Sequence, residues 1–173
     1  GMSDEQYAEY EKNRRDEEEK ISENFRYTEQ LYCLEASSGK LAWTNERTSV
    51  YTRFSQSGCP TVVDGRILVL GAGRLARSID AASGKEIWQT RLPGDFRDQF
   101  LQSSFLVVDG TAVVLAGRLF GLDLASGRIL WQQGDADADA LHSSTVSWQS
   151  PQGTVVISNI PGGKTIAVKP GDG

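Results

Sequence analysis

Five stretches of this chain carry residue types that perform chemistry in other proteins. Gly71-Ala-Gly-Arg-Leu-Ala76 follows an apolar run and fits G-x-G-x-x-A, the turn that lets a backbone approach a dinucleotide pyrophosphate. That chemistry requires a helix N-terminus directly afterwards. Leu75–Trp88 instead holds an Ala-Ser-Gly turn, so a corner between strands is expected. Gly162-Gly-Lys-Thr165 ends like a phosphate-binding loop, but the first glycine of G-x-x-x-x-G-K-T falls on Ser158, and a hairpin corner is again expected. Asp135-Ala-Asp-Ala-Asp139 alternates like the start of a calcium loop, yet Ala140 and Val146 stand where that loop needs Gly and Glu. A solvated loop is expected there. His142, the one histidine, adjoins Ser143 and Ser144 without a third orienting group or a nucleophile elbow. Cys33 and Cys59 are 26 positions apart and match no metal-ligand spacing. They are expected not to meet and to act as small buried apolar residues.

None of these stretches is therefore assigned a catalytic, cofactor-binding or metal-binding residue, and the chain as a whole sets further bounds. Its 173 residues suffice for one ordinary domain, with 39% hydrophobic and 24% charged residues, 18 Gly and 5 Pro. The longest apolar runs, such as Val113–Ala116, are the size of strands, so no membrane span is expected. No signal peptide is legible, and Gly1 ahead of Met2 reads as a cleavage scar. Of the net charge of −5, residues 1–26 hold nine acids and five bases, which leaves the body nearly neutral. A body without a basic stripe does not fit a phosphate backbone, and nucleic acid is not expected as a partner.

The elements that position these residues repeat. Leu31-Tyr-Cys-Leu-Glu-Ala-Ser-Ser-Gly-Lys-Leu-Ala-Trp43 recurs as Ala76-Arg-Ser-Ile-Asp-Ala-Ala-Ser-Gly-Lys-Glu-Ile-Trp88 and as Phe120-Gly-Leu-Asp-Leu-Ala-Ser-Gly-Arg-Ile-Leu-Trp131. A degenerate fourth copy runs from Ile166 to Gly173. Gly39, Gly84, Gly127 and Gly173 are spaced by 45, 43 and 46 residues. Upstream of each motif, Cys59–Leu70 is echoed by Ser104–Leu115 and more weakly by Ser144–Ile157.

The local chemistry is that of antiparallel strands. Asp64-Gly65 and Asp109-Gly110 lie between β-branched runs and predict two-residue hairpins, since both central residues tolerate positive φ. The glycines of the longer motif suit the left-handed position of a second hairpin. The acid four places earlier (Glu35, Asp80, Asp123) can accept hydrogen bonds from that turn. Each period then holds four short strands, A to D, at Thr61–Val63, Ile67–Leu70, Ala76–Asp80 and Glu86–Gln89 in the best copy. Four antiparallel strands every 40–45 residues or so is the pattern of a propeller blade. Trp43, Trp88 and Trp131 are expected at equivalent positions, stacking blade on blade.

The pattern Leu-Asp-Ala-x-x-Gly-Lys-x-x-Trp at this period resembles the repeat of the PQQ-like β-propellers, across residues 27–173. Asp80–Trp88 and Asp123–Trp131 match best, while Glu35 and Lys169-Pro170 depart from it. The resemblance implies an all-β fold, a partial β-propeller of about three to four four-stranded antiparallel blades with a charged N-terminal segment over 1–26. It also implies an extracytoplasmic, bacterial setting in the periplasm or cell envelope. Enzymes of this family hold a quinone over a tryptophan floor, beside Ca²⁺ and a disulfide of adjacent cysteines. This sequence has no adjacent cysteine pair and no marked Ca²⁺ cage, so no cofactor is expected.

The expected function is a non-enzymatic propeller-repeat scaffold or protein-binding module. The alternative is a fragment of a PQQ/Ca-dependent dehydrogenase whose site lies in other blades. Residues 1–26 are expected as a solvated arm or an insertion, with a charged partner-binding helix as the alternative. From residue 27 the strands run C-D, A-B-C-D, A-B-C-D and A-B-C, an open arc whose end blades would expose edges and an apolar face. A protein partner or self-association through those open blades is expected.

Overall fold

The computed structural model describes residues 3–24, 27–49, 59–71, 74–94, 103–134, 144–160 and 163–173. The chain divides into two compact units, Gly1–Arg53 and Phe54–Gly173.

The first unit opens with α1 (Asp4–Asn24) and continues into an antiparallel pair, β1 (Tyr27–Leu34) and β2 (Leu41–Ser49). The charged segment is thus helical. No Gly or Pro interrupts residues 4–24, and the start is held by a reciprocal cap. The Gln6 amide donates to Ser3 Oγ at 3.2 Å, while the Ser3 amide donates to Gln6 Oε1 at 3.0 Å. This is a capping box, and it satisfies two amides that the first turn leaves without intrahelical partners. Tyr7 and Tyr10 stand exposed on the helix.

The second unit contains three consecutive antiparallel sheets. The first has the order β3 (Thr61–Val63), β4 (Arg66–Gly71), β5 (Leu75–Asp80), β6 (Glu86–Arg91). The next is β7 (Leu106–Val108), β8 (Thr111–Ala116), β9 (Arg118–Asp123), β10 (Ile129–Gln133), and the last is β11 (Val146–Ser150), β12 (Gly153–Ile160), β13 (Lys164–Val168). With β1–β2, the strands per sheet number two, four, four and three, the order expected from the repeat.

The Asp-Gly turns take their expected form. Asp64 and Gly65 have φ of 46° and 70°, and Asp109 and Gly110 have 48° and 75°, so Val63 pairs Arg66 and Val108 pairs Thr111. Positive φ at both positions matches the right-handed twist of the flanking strands. Alternation along β8 then divides its side chains between two cores. Ala112, Val114 and Ala116, with Phe120 and Leu122 of β9, pack against Leu68, Leu70 and Trp88 of the preceding sheet. Val113 and Leu115, with Leu119 and Trp131, pack against Val156, Ile160 and Val168 of the following sheet. The β7–β10 sheet is apolar on both faces because both are covered, which explains why β8 reads as an unbroken apolar run.

Candidate functional site

The repeated motif builds one hairpin three times over. In it the Gly39, Gly84 and Gly127 amides donate to the carbonyls of Glu35, Asp80 and Asp123, each at 2.8 Å. The acidic side chain faces the same turn: Asp80 Oδ1 accepts the Ser83 amide at 2.8 Å and the Ser83 hydroxyl at 2.6 Å. Asp123 Oδ2 accepts the amide and hydroxyl of Ser126, and Glu35 Oε2 accepts the Ser38 hydroxyl. Bonds from the serine hydroxyl, and then from its amide, hold the carboxyl pKa of both Asp80 and Asp123 below the ordinary aspartate value. These are turn carboxylates, each with one oxygen bonded by the serine of its own hairpin. The fourth copy keeps the turn without the acid, as the Gly173 amide donates to the Lys169 carbonyl at 3.0 Å.

The tryptophans occupy equivalent register positions: Cys33 pairs Trp43, Ser78 pairs Trp88 and Gly121 pairs Trp131. From Trp88 and Trp131 the contact reaches the next sheet. Trp88 Nε1 donates to the Leu124 carbonyl at 3.0 Å, and Trp131 Nε1 donates to the Pro170 carbonyl at 2.8 Å, one residue past Asp123 and Lys169 respectively. The Thr90 hydroxyl adds a 2.7 Å bond to the Gly127 carbonyl. Glycine is required where the indole lands. A Cβ on Gly127 would lie 2.5 Å from Trp88 Cδ2, and one on Gly173 would lie 3.0 Å from Trp131 Cδ2. One glycine thus serves a left-handed turn in its own sheet and a flat landing for its neighbour's indole.

The other singled-out residues separate into structural roles and positions outside the described residues. Gly71 pairs Leu75 across a strand corner, and β5 rather than a helix follows Arg74. Arg74, at φ 56°, occupies the corner position that Gly117 fills at φ 75° in the next repeat. It is buried, Nη1 donates to the Pro93 carbonyl at 3.1 Å, and a Cβ on Gly117 would lie 2.6 Å from Nη2. Gly163, at φ 73°, leads into strand β13 rather than a helix, and Gly162 lies outside the described residues. Asp135–Asp139 and His142 lie outside the described residues. Both cysteines are free thiols, and Cys59 is exposed rather than buried, because it precedes β3 instead of lying within the sheet. Sequence reasoning missed the ion pair of Arg77 Nε with Glu86 Oε2, 2.9 Å across β5 and β6. It also passed over Ser3 and Gln6, whose spacing is itself a cap signal.

What remains available for contact is apolar surface. Among the described residues, Tyr32, Leu34 and Leu41 are exposed on β1–β2, Val62 and Ile87 on the β3–β6 sheet, and Val146 and Trp148 on β11, whereas no large apolar side chain of the β7–β10 sheet is exposed. Trp148 pairs Val155 and Val146 pairs Ile157, so all four share the face of the β11–β13 sheet opposite Val156. Val156 belongs to the core with the preceding sheet, which places Trp148 on the outward side.

Repeated antiparallel sheets, stacked face to face through tryptophan–glycine junctions, define an arc of β-propeller blades. Residues 27–173 match the PQQ_2 family model, described as outer membrane protein assembly factor BamB, and the chain belongs to that family. It is similar to the dehydrogenase subunit of a quinone alcohol dehydrogenase from Gluconacetobacter polyoxogenes, 29% identical over 136 residues, 69% of this chain and 18% of that protein. It is also similar to the outer membrane protein assembly factor BamB of Yersinia pestis, 30% identical over 111 residues, 60% of this chain and 28% of that protein. The chain thus spans less than a third of the length of these relatives. Among solved structures, BamB from Moraxella catarrhalis shares the fold at a TM-score of 0.62, 19% identity, 83% of this chain and 44% of the other. A quinohemoprotein alcohol dehydrogenase from Pseudomonas putida HK5 does so at 0.60 and 16%, over 82% of this chain and 30% of the other.

The family raises the question of a quinone with Ca²⁺, and the residues described here do not fit that group. The Trp88 and Trp131 indoles lie between sheets with their N–H groups engaged, and the Asp80 and Asp123 carboxylates are bonded within their own hairpins. Among the described residues, no three His, Cys, Asp or Glu side chains gather where they could hold a metal ion. No helix among them is long and apolar enough to cross a membrane.

Proposed function

We propose that this chain is a non-enzymatic propeller-repeat scaffold that binds protein through the faces of its blades, in the bacterial periplasm or cell envelope. The observation that carries this reading is where the repeated polar residues are used. The motif's carboxylates and the Trp88 and Trp131 indoles form hairpins and blade junctions, while apolar side chains of three sheets, among them Tyr32, Val62 and Trp148, are presented to solvent. An exposed apolar patch on a folded sheet is a contact surface in want of a partner. The match to a family described by an outer membrane assembly factor supports the same reading.

A second reading is favoured by the dehydrogenase subunit that matches 69% of this chain. In it, the chain is an arc of a quinoprotein whose chemistry resides in other blades. Titration with PQQ and Ca²⁺, followed by absorbance and by dye reduction with alcohols, separates the two. The scaffold reading expects no stoichiometric uptake and no dye reduction. Saturable uptake at one quinone per chain would overturn it in favour of the second reading.

A further inference from the structure

The tryptophan–glycine junction is shared by successive repeats, so it does not by itself decide which sheet stacks on which. Trp88 and Trp131 land on Gly127 and Gly173 and donate to the Leu124 and Pro170 carbonyls. Apolar faces built on one repeat are nearly interchangeable as well, because burial of apolar surface is not directional. Sheets of this kind fold into one order only if their faces differ from repeat to repeat.

The difference lies on one face of the β3–β6 sheet. Phe120 and Ile129 of the β7–β10 sheet belong to the core that packs it onto the sheet before it. Counting back 43 positions, the spacing from Gly84 to Gly127, gives Arg77 and Glu86. The register agrees: Phe120 pairs Val114 as Arg77 pairs Val69, and Ile129 pairs Leu122 as Glu86 pairs Ile79. Where one sheet has an aromatic and an aliphatic side chain, the other has an ion pair, Arg77 Nε to Glu86 Oε2 at 2.9 Å. The Arg77 side chain is 7% exposed and that of Glu86 34%. Leu75 and Ile79, on the same face of β5, are buried beside Arg77.

An ion pair this buried is a poor source of stability. Desolvating the two charges offsets most of their attraction, and apolar replacement of such a pair is often neutral or stabilising, whereas removing one partner is costly. What the pair supplies is selection. An apolar sheet face laid on Arg77 and Glu86 would cover both charges and return no hydrogen bond. This chain carries faces of that kind, with Leu68, Leu70 and Trp88 on one sheet and Val113, Leu115 and Trp131 on the next.

We propose that the Arg77–Glu86 pair fixes the stacking order of the repeats by rejecting those two apolar faces from this face of the β3–β6 sheet. The device goes beyond the scaffold reading, since a quinoprotein arc has the same sheets to order.

Arg77→Phe combined with Glu86→Ile, the residues of the next repeat, tests the proposal on the full chain. The urea midpoint of this double variant is expected at or above the wild-type value. Arg77→Phe alone and Glu86→Ile alone are expected to lower it, because each breaks the pair. After refolding from urea, the wild type is expected to give one set of amide NMR signals from the β3–β6 sheet. The double variant is expected to add a second set, or a species of twice the mass by light scattering, from sheets stacked on the wrong neighbour. Arg77→Met combined with Glu86→Leu serves if the first double variant does not fold. Failure of both to fold, or a midpoint below wild type in the one that does, would overturn the proposal, because the pair would then be holding the sheet together. Single variants as stable as the double variant would also overturn it. So would a stable double variant with one set of signals and the wild-type mass, or a wild type that itself refolds to two sets.

Discussion

Replacing Gly127 by alanine separates the two demands placed on that residue. Gly110 lies in the same sheet with nearly the same backbone, φ 75° against 73°, but a Cβ there would meet nothing within 4 Å. Gly110→Ala therefore reports the left-handed backbone alone, about 1–2 kcal/mol. Gly127→Ala carries the same term and adds a methyl group 2.5 Å from Trp88 Cδ2 and Cε3 and 2.9 Å from Thr90 Oγ1. Overpacking of this kind adds about 1–3 kcal/mol, for a total of roughly 2–5 kcal/mol. The assay is equilibrium urea unfolding, with stabilities compared at equal m-values. Trp88→Ala removes the obstacle, so in that background Gly127→Ala should cost only the backbone term. Equal costs at Gly110 and Gly127, or a Gly127 cost unchanged by Trp88→Ala, would refute the assignment of Gly127 as the landing of the indole.

Trp131→Ala should destabilise the second unit by about 3–5 kcal/mol in urea unfolding, since it empties a buried site and leaves the Pro170 carbonyl without its donor. The depressed pKa values of Asp80 and Asp123 give stability that is present above the ordinary aspartate value of about 3.9 and lost as pH falls through the lower folded values. Ser83→Ala and Ser126→Ala should move those two carboxyls back up toward the ordinary value, read by NMR titration of the aspartate side chains. Ser3→Ala should weaken α1 by about 1 kcal/mol, seen as lost helical signal in far-UV circular dichroism at raised temperature.

Most of the sheet architecture was legible because its determinants are local. Asp64-Gly65 and Asp109-Gly110 specify their hairpins through backbone preference alone, and the Glu35, Asp80 and Asp123 motifs specify theirs through a side chain that bonds three residues away. Strand ends were less legible: β4 begins at Arg66 and β6 runs to Arg91, beyond the apolar residues that mark them. Pairing continues there because Arg66 faces Asp80 and Leu75 faces Arg91, and backbone hydrogen bonds do not need apolar side chains. The helix escaped a search for apolar periodicity because its cap and its unbroken run of helix-formers, rather than a stripe, define it. Arg74 could not be read at all. Its left-handed backbone stands where the next two repeats have glycine, and what holds it is tertiary, a guanidinium buried against Gly117 and bonded to Pro93. The candidate contact surface was half legible. Val146–Trp148 reads as strand from its residues, but placing Trp148 on the side opposite Val156 required the register of β11 against β12.

In the scaffold reading Trp88 and Trp131 are internal fastenings, whereas Trp148 is exposed on the β11–β13 sheet. Hydrogen exchange of the indole N–H groups, followed by NMR in dilute protein, tests it most directly. Trp88 and Trp131 are buried with their indoles bonded to Leu124 and Pro170, and Trp148 is exposed, so the first two should exchange slowly and the third at close to the rate of a free indole. Trp88 or Trp131 exchanging as fast as Trp148, or Trp148 as protected as they are, would contradict the account.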